Sequence, residues 1–240
     1  MTTRIAMWSG PRNISTAMMR SFGARSDCAV SDEPFYGAFL KDSGEPHPMA
    51  RETIDSMDCN WQSVLATLSG APSGGEPIWY QKHMPHHMVG PVGIEDMLDH
   101  RHVFLIRAPE RVVASYQAKN ELRRPEVLGF SDIRRYVAFE TERSGSTPAI
   151  FDADRFMAAP VAMLQKLCAA LDIEWTEQML SWEKGPHPDD GIWGEHWYEK
   201  VNASTGFGPS PGSLPELTGD YAATADACRD DYEALLKNAL

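Results

Sequence analysis

Cysteine is scarce in this 240-residue sequence, and its four copies, Cys28, Cys59, Cys168 and Cys228, lie far apart with no C-x-x-C pair. Such spacing argues against a disulfide-stapled scaffold and against a cysteine zinc site. The N-terminal stretch MTTRIAMWSGPRN also lacks the apolar core of a signal peptide. We therefore expect a reducing, cytoplasmic compartment for the protein.

Positive charge is also in short supply, with 22 Lys and Arg against 34 Asp and Glu and a net charge of -12. Nucleic acids and anionic membranes attract positive surfaces, so we expect neither as a partner. No stretch approaches the roughly 18 apolar residues that a membrane-spanning helix needs. The length suits one globular domain covering residues 1–240.

Strand and helix patterns alternate along the chain. This alternation predicts an α/β fold, a three-layer sandwich with a mostly parallel central sheet, whose ligands bind beyond the carboxyl ends of the strands. The predicted strands cover residues 4–8, 28–30, 78–81, 102–106 and 149–151. The predicted helices cover residues 14–24, 59–68, 109–119, 131–142, 160–171 and 221–240. Residues 184–219 are predicted to form an irregular, lid-like segment.

The stretch MWSGPRNISTAMMRSF predicts a strand, a turn and a helix, but it lacks the Gly-Lys-Ser/Thr of a nucleoside triphosphate loop. Backbone N–H groups and the helix dipole favour an anion at such a turn. Arg12 adds a full positive charge, and Ser15 and Thr16 add hydroxyl donors. The alternative is a helix that Asn13 or Ser15 simply caps.

A second strand, turn and helix follow in LIRAPERVVASY, residues 105–116. Arg107 lies at the strand end, where an anion site is expected, and Ser115 lies two turns into the helix. The alternative is that Arg107 pairs with a carboxylate such as Glu110.

Together, in this order and with this separation, the two motifs resemble those of the sulfotransferases that use 3′-phosphoadenosine 5′-phosphosulfate (PAPS). The resemblance implies a P-loop NTPase-like architecture, with PAPS as the cofactor and no obligatory metal. In the first motif, the loop that holds the 5′-phosphosulfate is matched by Pro11, Arg12, Asn13, Ser15 and Thr16. In the second motif, R-x-P-x-x-x-x-x-S, the 3′-phosphate ligands are matched by Arg107 and Ser115.

One position departs from the family pattern. Ile14 stands where the family usually has Gly, and a β-branched residue is unfavourable at positive φ. The resemblance also implies a C-terminal loop with a Lys-Gly element that closes over the cofactor. Lys184 and Gly185 match that element, and Lys200 or residues 204–206 are alternatives. For the ring that stacks on adenine, the candidates are Trp193, Trp197 and Phe207. The alternative for this segment is an ordinary packed lid or a dimer contact. The second of these implies a homodimer.

The acceptor must lose a proton as it attacks, so the reaction needs a base. Glu33 follows the second strand, where some family members have a catalytic Glu. His83 resembles the His that cytosolic members carry in a Lys-x-His-Leu-Pro setting, although Gln81 stands where that Lys would be. The sequence ranks Glu33 ahead of His83, with Lys82 as an assisting cation. Both candidates have a structural alternative. Glu33 could simply favour the start of a following helix, and His83 could be a hydrogen-bonded histidine at the end of a strand.

The three histidines His83, His86 and His87 do not lead us to expect a metal site, because Pro85 interrupts any regular ligand-bearing helix. We therefore predict a sulfotransferase that moves a sulfuryl group to a hydroxyl or amine of a small-molecule acceptor. The acceptor pocket is expected to involve residues 35–48 and 123–130. Two alternatives remain, a non-catalytic nucleotide-binding protein and a small-molecule kinase of related architecture.

Overall fold

A computed structural model describes residues 2–117 and 124–240 of the chain. These residues form a five-stranded sheet with the order β2-β3-β1-β4-β5, and every adjacent pair of strands is parallel. The strands are β1 (Thr3–Ser9), β2 (Cys28–Asp32), β3 (Ile78–His83), β4 (Arg101–Ile106) and β5 (Ala149–Asp152). All five predicted strands are confirmed, and the described sheet is parallel throughout rather than mostly parallel.

Helices connect and cover the strands. In chain order they are α1 (Ser15–Gly23), α2 (Tyr36–Ser43), α3 (Ala50–Ser56), α4 (Trp61–Leu68), α5 (Pro109–Gln117), α6 (Phe130–Ser144), α7 (Ala153–Ala158), α8 (Pro160–Ala170), α9 (Gly194–Trp197), α10 (Glu199–Asn202), α11 (Gly219–Ala227) and α12 (Arg229–Leu236). Single 3₁₀ turns cover Pro85–His87, Ile94–Asp96, Pro125–Leu128 and Glu177–Leu180. The end of the helix predicted for residues 109–119 lies outside the described residues, as does the start of the acceptor loop predicted for residues 123–130.

The two faces of the sheet bury different hydrophobic clusters. In β1, Ile5 and Met7 pack on one face with residues of α1, α7 and α8, whereas Ala6 and Trp8 pack on the other with residues of α2, α4 and α6. Alternation of this kind follows from the period of two in a β-strand. Because both faces are covered, the molecule is the predicted three-layer α/β sandwich.

The predicted helix over residues 221–240 is wrong in its continuity, because two helices occupy the region. Ala225 in α11 and the intervening Cys228 pack with Val112 and Val113 of α5, while Leu235 in α12 packs in the cluster on the sheet. These two surfaces lie on different parts of the core. The helix is therefore interrupted at Cys228, which allows α11 and α12 each to pack on its own surface.

The start of α6 also differs from the prediction. The helix begins at Phe130 after Gly129, which takes φ 74°, so Ser131 and Asp132 lie inside the first turn and do not cap it.

The segment of residues 184–219 is irregular apart from α9 and α10. A buried ion pair fixes it to the body of the molecule: Arg20 in α1 donates to both carboxylate oxygens of Asp190, with Nη2 2.6 Å from Oδ2. Arg20 Nη2 also donates to Oδ1 of Asn202 at 3.0 Å. The segment therefore lies over the carboxyl end of β1, from which α1 begins.

Within the described part of the chain, the helices are too short or too polar to span a membrane.

Candidate functional site

A cavity of about 440 Å³ lies beyond the carboxyl ends of the strands, where a parallel sheet is expected to bind ligands. Its walls come from the turn after β1, the residues that end or follow β2, β3 and β4, and the α9–α10 region. Most of the predicted site residues line it: Arg12, Asn13, Ser15, Thr16, Glu33, Lys82, Arg107 and Ser115.

The turn between β1 and α1 is held in place by close backbone packing. A Cβ atom on Gly10 would lie 2.2 Å from the carbonyl oxygen of Leu128, so only glycine fits at this position. Asn13 Nδ2 donates to the carbonyl oxygen of Leu105 in β4 at 2.9 Å, which ties the turn to the sheet. The side chain of Asn13 therefore supports the loop.

Ile14 occupies the left-handed region, with φ 56° and ψ 11°, and is the N-cap residue of α1. The backbone thus takes the positive φ that glycine would favour, in spite of the β-branched side chain. The alternative in which Asn13 or Ser15 caps the helix is wrong, and Ile14 has no polar side chain with which to cap it. The first N–H groups of α1 are left to attract an anion.

The two predicted anion motifs meet in space. Arg12 Nε donates to Oγ of Ser115 at 2.9 Å, and Arg107 Nη1 donates to the carbonyl oxygen of Arg12 at 2.9 Å. Burial lowers the pKa of Arg12, and the charge of Arg107 lowers it further. Two half-buried cations held side by side make a strongly anion-attracting cluster.

Arg107 does not pair with Glu110, which accepts instead from Arg229 at 2.9 Å. The carboxylate nearest to Arg107 is that of Asp154, 3.6 Å from Nε. Asp154 is shared with Arg111, whose Nε lies 2.5 Å from it. The charge of Arg107 is therefore only partly balanced within the described residues.

Lys82 is the centre of a buried polar network. Its Nζ donates to Oδ1 of Asp32 at 2.9 Å, to Oε1 of Glu33 at 2.7 Å and to the hydroxyl of Tyr198 at 2.6 Å. Burial lowers the pKa of Lys82, but the two carboxylates more than offset this and raise it well above its ordinary value. A fourth oxygen atom, Oγ1 of Thr16, lies farther away at 3.4 Å, so the three short contacts match the three N–H donors of the ammonium group.

Glu33 has an oxygen atom available to a ligand, whereas Asp32 does not. Asp32 accepts from Lys82, from the Tyr198 hydroxyl at 2.7 and 2.9 Å, and from the backbone N–H of Gly191 at 3.1 Å. Among the described residues, Oε2 of Glu33 has only Nδ1 of His87 near it, at 3.7 Å. Glu33 is thus the carboxylate that faces the cavity.

Burial raises the pKa of Glu33, although the charge of Lys82 opposes the increase. A raised pKa makes a carboxylate a better proton acceptor near neutral pH. The backbone of Glu33 is itself strained, with φ 44°.

His83, the second base candidate from the sequence, does not line the cavity. Neighbouring residues of β3 point to opposite faces of the sheet, so His83 lies behind the sheet when Lys82 faces the cavity. The imidazole stacks on Trp8 at 4.7 Å and is 1% exposed. Burial lowers its pKa well below the ordinary value, so it is a neutral core residue.

Lys184 and Gly185, predicted from the sequence to bind the cofactor, do not line the cavity. Lys184 is exposed, and Gly185 donates its N–H to the carbonyl oxygen of Asn202 at 2.9 Å, away from the cavity. The irregular segment folds so that its later part reaches the site. The alternatives named from the sequence fit better, because the cavity is lined by Lys200, Ser204, Gly206, Trp193, Trp197 and Phe207.

One site residue, Tyr198, gave no signal in the sequence. It joins Lys82 and Asp32 from the far end of the chain, and Trp193 Nε1 donates to its hydroxyl at 3.1 Å. Tyr36 and His47, which lie in the loop predicted for the acceptor pocket, also line the cavity, as do His86 and His87. The pairing of Asp32 with Lys82 was the readable part, because both lie at the ends of adjacent parallel strands.

In the part of the chain that the structure describes, no group of three or more His, Cys, Asp or Glu is arranged to hold a metal ion.

The family of this chain is shown by its match to a family model. A family model described as a sulfotransferase domain matches residues 3–237. Two curated Arabidopsis thaliana proteins, branched-chain-amino-acid aminotransferase-like proteins 2 and 1, are 36% and 35% identical over 212 and 213 residues. The matches cover 88% of this chain but 37% of each relative, so the chain spans little more than a third of their length.

Solved structures show the same fold. A sulfotransferase from Alicyclobacillus acidocaldarius matches with a TM-score of 0.57 and 12% identity over 100% of this chain and 98% of its own. Mouse sulfotransferase SULT7A1 complexed with PAP matches with a TM-score of 0.57 and 11% identity over 99% and 88%. At these identities the likeness concerns the fold alone.

The strain at Ile14 can be measured by comparing two variants, Ile14→Gly and Ile14→Ala. Both remove the side chain beyond Cβ, but only glycine tolerates φ 56° without strain. We expect the Gly variant to be more stable than the Ala variant by about 1 kcal/mol in urea unfolding. Ala17→Gly, inside α1, is the control and should lose about 1 kcal/mol relative to wild type. A Gly variant less stable than the Ala variant would contradict the left-handed assignment.

The charge balance around Lys82 predicts a pH-dependent loss of stability in Lys82→Met. This change leaves two buried carboxylates without their ammonium partner, and we expect unfolding at about pH 8 to become easier by about 3 kcal/mol. Because protonation of one carboxyl group relieves the repulsion, the deficit relative to wild type should shrink at about pH 5.5. The exposed Lys184→Met is the control, with little change at either pH. If the variant loses the same free energy of unfolding at both pH values, the two carboxylates are not both ionised around Lys82.

Proposed function

The chain belongs to the sulfotransferase domain family, and from this membership we propose that it transfers a sulfuryl group from PAPS to a hydroxyl or amine of a small acceptor. One observation carries the proposal. The two anion motifs meet at Arg12, Ser115 and Arg107 in the same cavity that exposes the carboxylate of Glu33. An anion site and a general base in one cavity are what sulfuryl transfer requires.

The donor end of the cavity fits a nucleotide with two separate anionic groups. The N–H groups at the start of α1, with Ser15 and Thr16, would hold the phosphosulfate. Arg107 and Ser115 would hold the 3′-phosphate, and the aromatic ring of Phe207 would contact adenine. The close approach of Arg12 and Arg107 without a full set of carboxylate partners supports the fit, since bound phosphate would supply the missing negative charge.

When bound, PAPS supplies an activated sulfuryl group whose acceptor must be deprotonated. In our proposal Glu33 takes the proton of the acceptor's hydroxyl or amine as the new bond to sulfur forms. The bond from sulfur to the bridging oxygen breaks, and the electron pair leaves with adenosine 3′,5′-bisphosphate (PAP). Thr16 and the N–H groups of α1 stabilise the charge that develops on the departing phosphate.

Lys82 has a positioning role in this proposal. Its three short contacts are to Asp32, Glu33 and Tyr198, and a fourth acceptor, Oγ1 of Thr16, lies farther away at 3.4 Å. Through the short contacts it fixes Oε1 of Glu33 and thereby orients Oε2 toward the cavity. We propose this role in place of the assisting cation expected from the sequence.

The name of the curated relatives does not carry over to this chain. The part of those relatives that this chain matches is a little more than a third of their length, and the sulfotransferase model accounts for nearly all of this chain. Aminotransferase-like activity is therefore no part of the proposal.

Arg107→Ala is expected to weaken PAP binding by about 2 kcal/mol or more, the scale of a lost charged hydrogen bond. Isothermal titration calorimetry measures the effect. The control is Arg101→Ala. Arg101 lies at the amino end of β4, the opposite end of the strand that Arg107 follows, so this change should leave PAP affinity unchanged. Titration with ATP and Mg²⁺ tests the kinase alternative, and a preference for ATP over PAP would overturn the proposed function.

Glu33→Gln should separate binding from chemistry. The substitution keeps the size of the side chain and removes its basicity, so kcat should fall by a factor on the order of 10² or more. PAP affinity should stay within about twofold, since Glu33 does not reach the donor cluster. The assay follows sulfated product from PAPS by mass spectrometry across a panel of small alcohols and amines. Unchanged kcat in the variant would rule out Glu33 as the base, and PAP binding with no product from any acceptor would favour the non-catalytic alternative.

A further inference from the structure

The cavity has two ends with different chemistry. One end holds the cations Arg12 and Arg107 with Ser115, and the other holds Glu33 with aromatic and imidazole rings. The two ends meet where Oγ1 of Thr16 lies 3.4 Å from Nζ of Lys82. Under the proposed function the donor occupies the cationic end, so the aromatic end is left for the acceptor.

Flat, uncharged rings form the walls of the aromatic end. His87 stacks on Tyr36 with centroids 4.5 Å apart and an angle of 2°, and Trp193 meets Tyr36 edge-on at 5.0 Å. The ring of His86 lies 4.4 Å from that of His87, and Trp197 completes the wall. Burial lowers the pKa of His86 to about 3 and that of His87 well below its ordinary value, so both imidazoles are neutral near pH 7.

The charges of the buried network at this end do not cancel, and Lys200, which also lines the cavity, is exposed to solvent. Lys82 contributes one positive charge, while Asp32 and Glu33 contribute two carboxylates. Asp32 is fully hydrogen bonded by Lys82, Tyr198 and Gly191. The unbalanced negative charge therefore lies on Glu33, the carboxylate whose second oxygen faces the cavity.

This imbalance discriminates between acceptors by charge. An anionic acceptor would face Glu33, and the ammonium group of Lys82 already contacts oxygen atoms of Asp32, Glu33, Tyr198 and Thr16. A cationic acceptor would neutralise Glu33 and lie against aromatic rings, which attract cations through their negative faces. A neutral acceptor would leave the excess charge unbalanced.

We propose that the acceptor is a small alcohol that carries an ammonium group. This inference rests on the proposed function and names its substrate class. The ammonium group lies among Tyr36, Trp193 and Trp197, while the hydroxyl gives its proton to Glu33 as its oxygen forms the bond to sulfur. The product is a zwitterionic sulfate ester, formed beside Glu33 in its protonated, neutral state.

Calorimetry in the presence of saturating PAP provides the test, with three probes of similar size. Choline carries the ammonium group, 3,3-dimethylbutan-1-ol has the same shape without the charge, and 3-hydroxypropionate is an anion. We expect choline to bind more tightly than the neutral isostere by about tenfold or more, and 3-hydroxypropionate not to bind. With PAPS in place of PAP, choline should yield its sulfate ester by mass spectrometry. Equal binding of choline and its isostere, no binding of choline, or tighter binding of the anion would overturn the inference.

Two variants locate the preference. Glu33→Gln should bring the affinities for choline and its neutral isostere close together, because the unbalanced charge is gone. Trp197→Leu should weaken choline binding several-fold and leave the isostere nearly unaffected, because leucine is apolar but has no ring. If both variants keep the wild-type preference, the assigned site is wrong.

PAP binding by the wild-type protein separates this inference from the proposed function. Failure to bind PAP would overturn the proposed function. PAP binding without any preference for the ammonium probe would overturn the acceptor inference alone.

Discussion

The buried ammonium group of Lys82 is the interaction on which the site depends. Two carboxylates, Asp32 and Glu33, follow each other at the end of β2, and the interior cannot hold both ionised without a cation between them. The parallel register supplies that cation, because Asp32 pairs with Lys82 across β2 and β3. Tyr198 adds the C-terminal segment to the same contact. The end of β2, the carboxylate of Glu33 and the C-terminal segment are therefore all held by the Nζ atom of Lys82.

Backbone strain is concentrated at the same edge of the sheet. Arg12, Ile14 and Glu33 take positive φ values of 62°, 56° and 44°, and each follows the end of β1 or β2. Left-handed backbone costs a non-glycine residue about 1–3 kcal/mol, so the surrounding contacts must hold it in place. They do so from adjacent strands: Asn13 is bonded to β4, and the N–H of Glu33 donates to the carbonyl oxygen of Lys82 at 3.1 Å. The strain turns N–H groups and a carboxylate toward the cavity.

Local sequence patterns predicted most of the fold and the cationic end of the cavity. Short apolar runs with turn residues behind them defined all five strands, and both anion motifs lie within single strand–turn–helix units. The choice between Lys82 and His83 needed the parity of β3, since only one of two neighbouring residues can face the cavity. The sequence did not reveal which residue does so, because β3 is buried on both faces: Ile78 and Tyr80 pack in one cluster and Trp79 in the other.

Other parts of the site could not be read from local sequence. Lys184 matched a Lys-Gly pattern, but the course of an irregular segment depends on tertiary contacts such as that of Arg20 with Asp190. The contact of Tyr198 with Asp32 spans 166 residues, and no local pattern marks a tyrosine for such a role. The split of the C-terminal helix at Cys228 likewise follows from two packing surfaces that only the folded core defines.

Tyr198 links the segment that covers the cavity to the network around Glu33. It lies between α9, whose Trp193 and Trp197 line the cavity, and α10, whose Lys200 lines the same cavity. Its hydroxyl accepts from Lys82 and donates to Asp32, and Lys82 also holds Oε1 of Glu33. The stretch of chain that encloses the cavity thus also contacts the residue that orients Glu33. Enclosure excludes water from this carboxylate, and the loss of water raises its pKa.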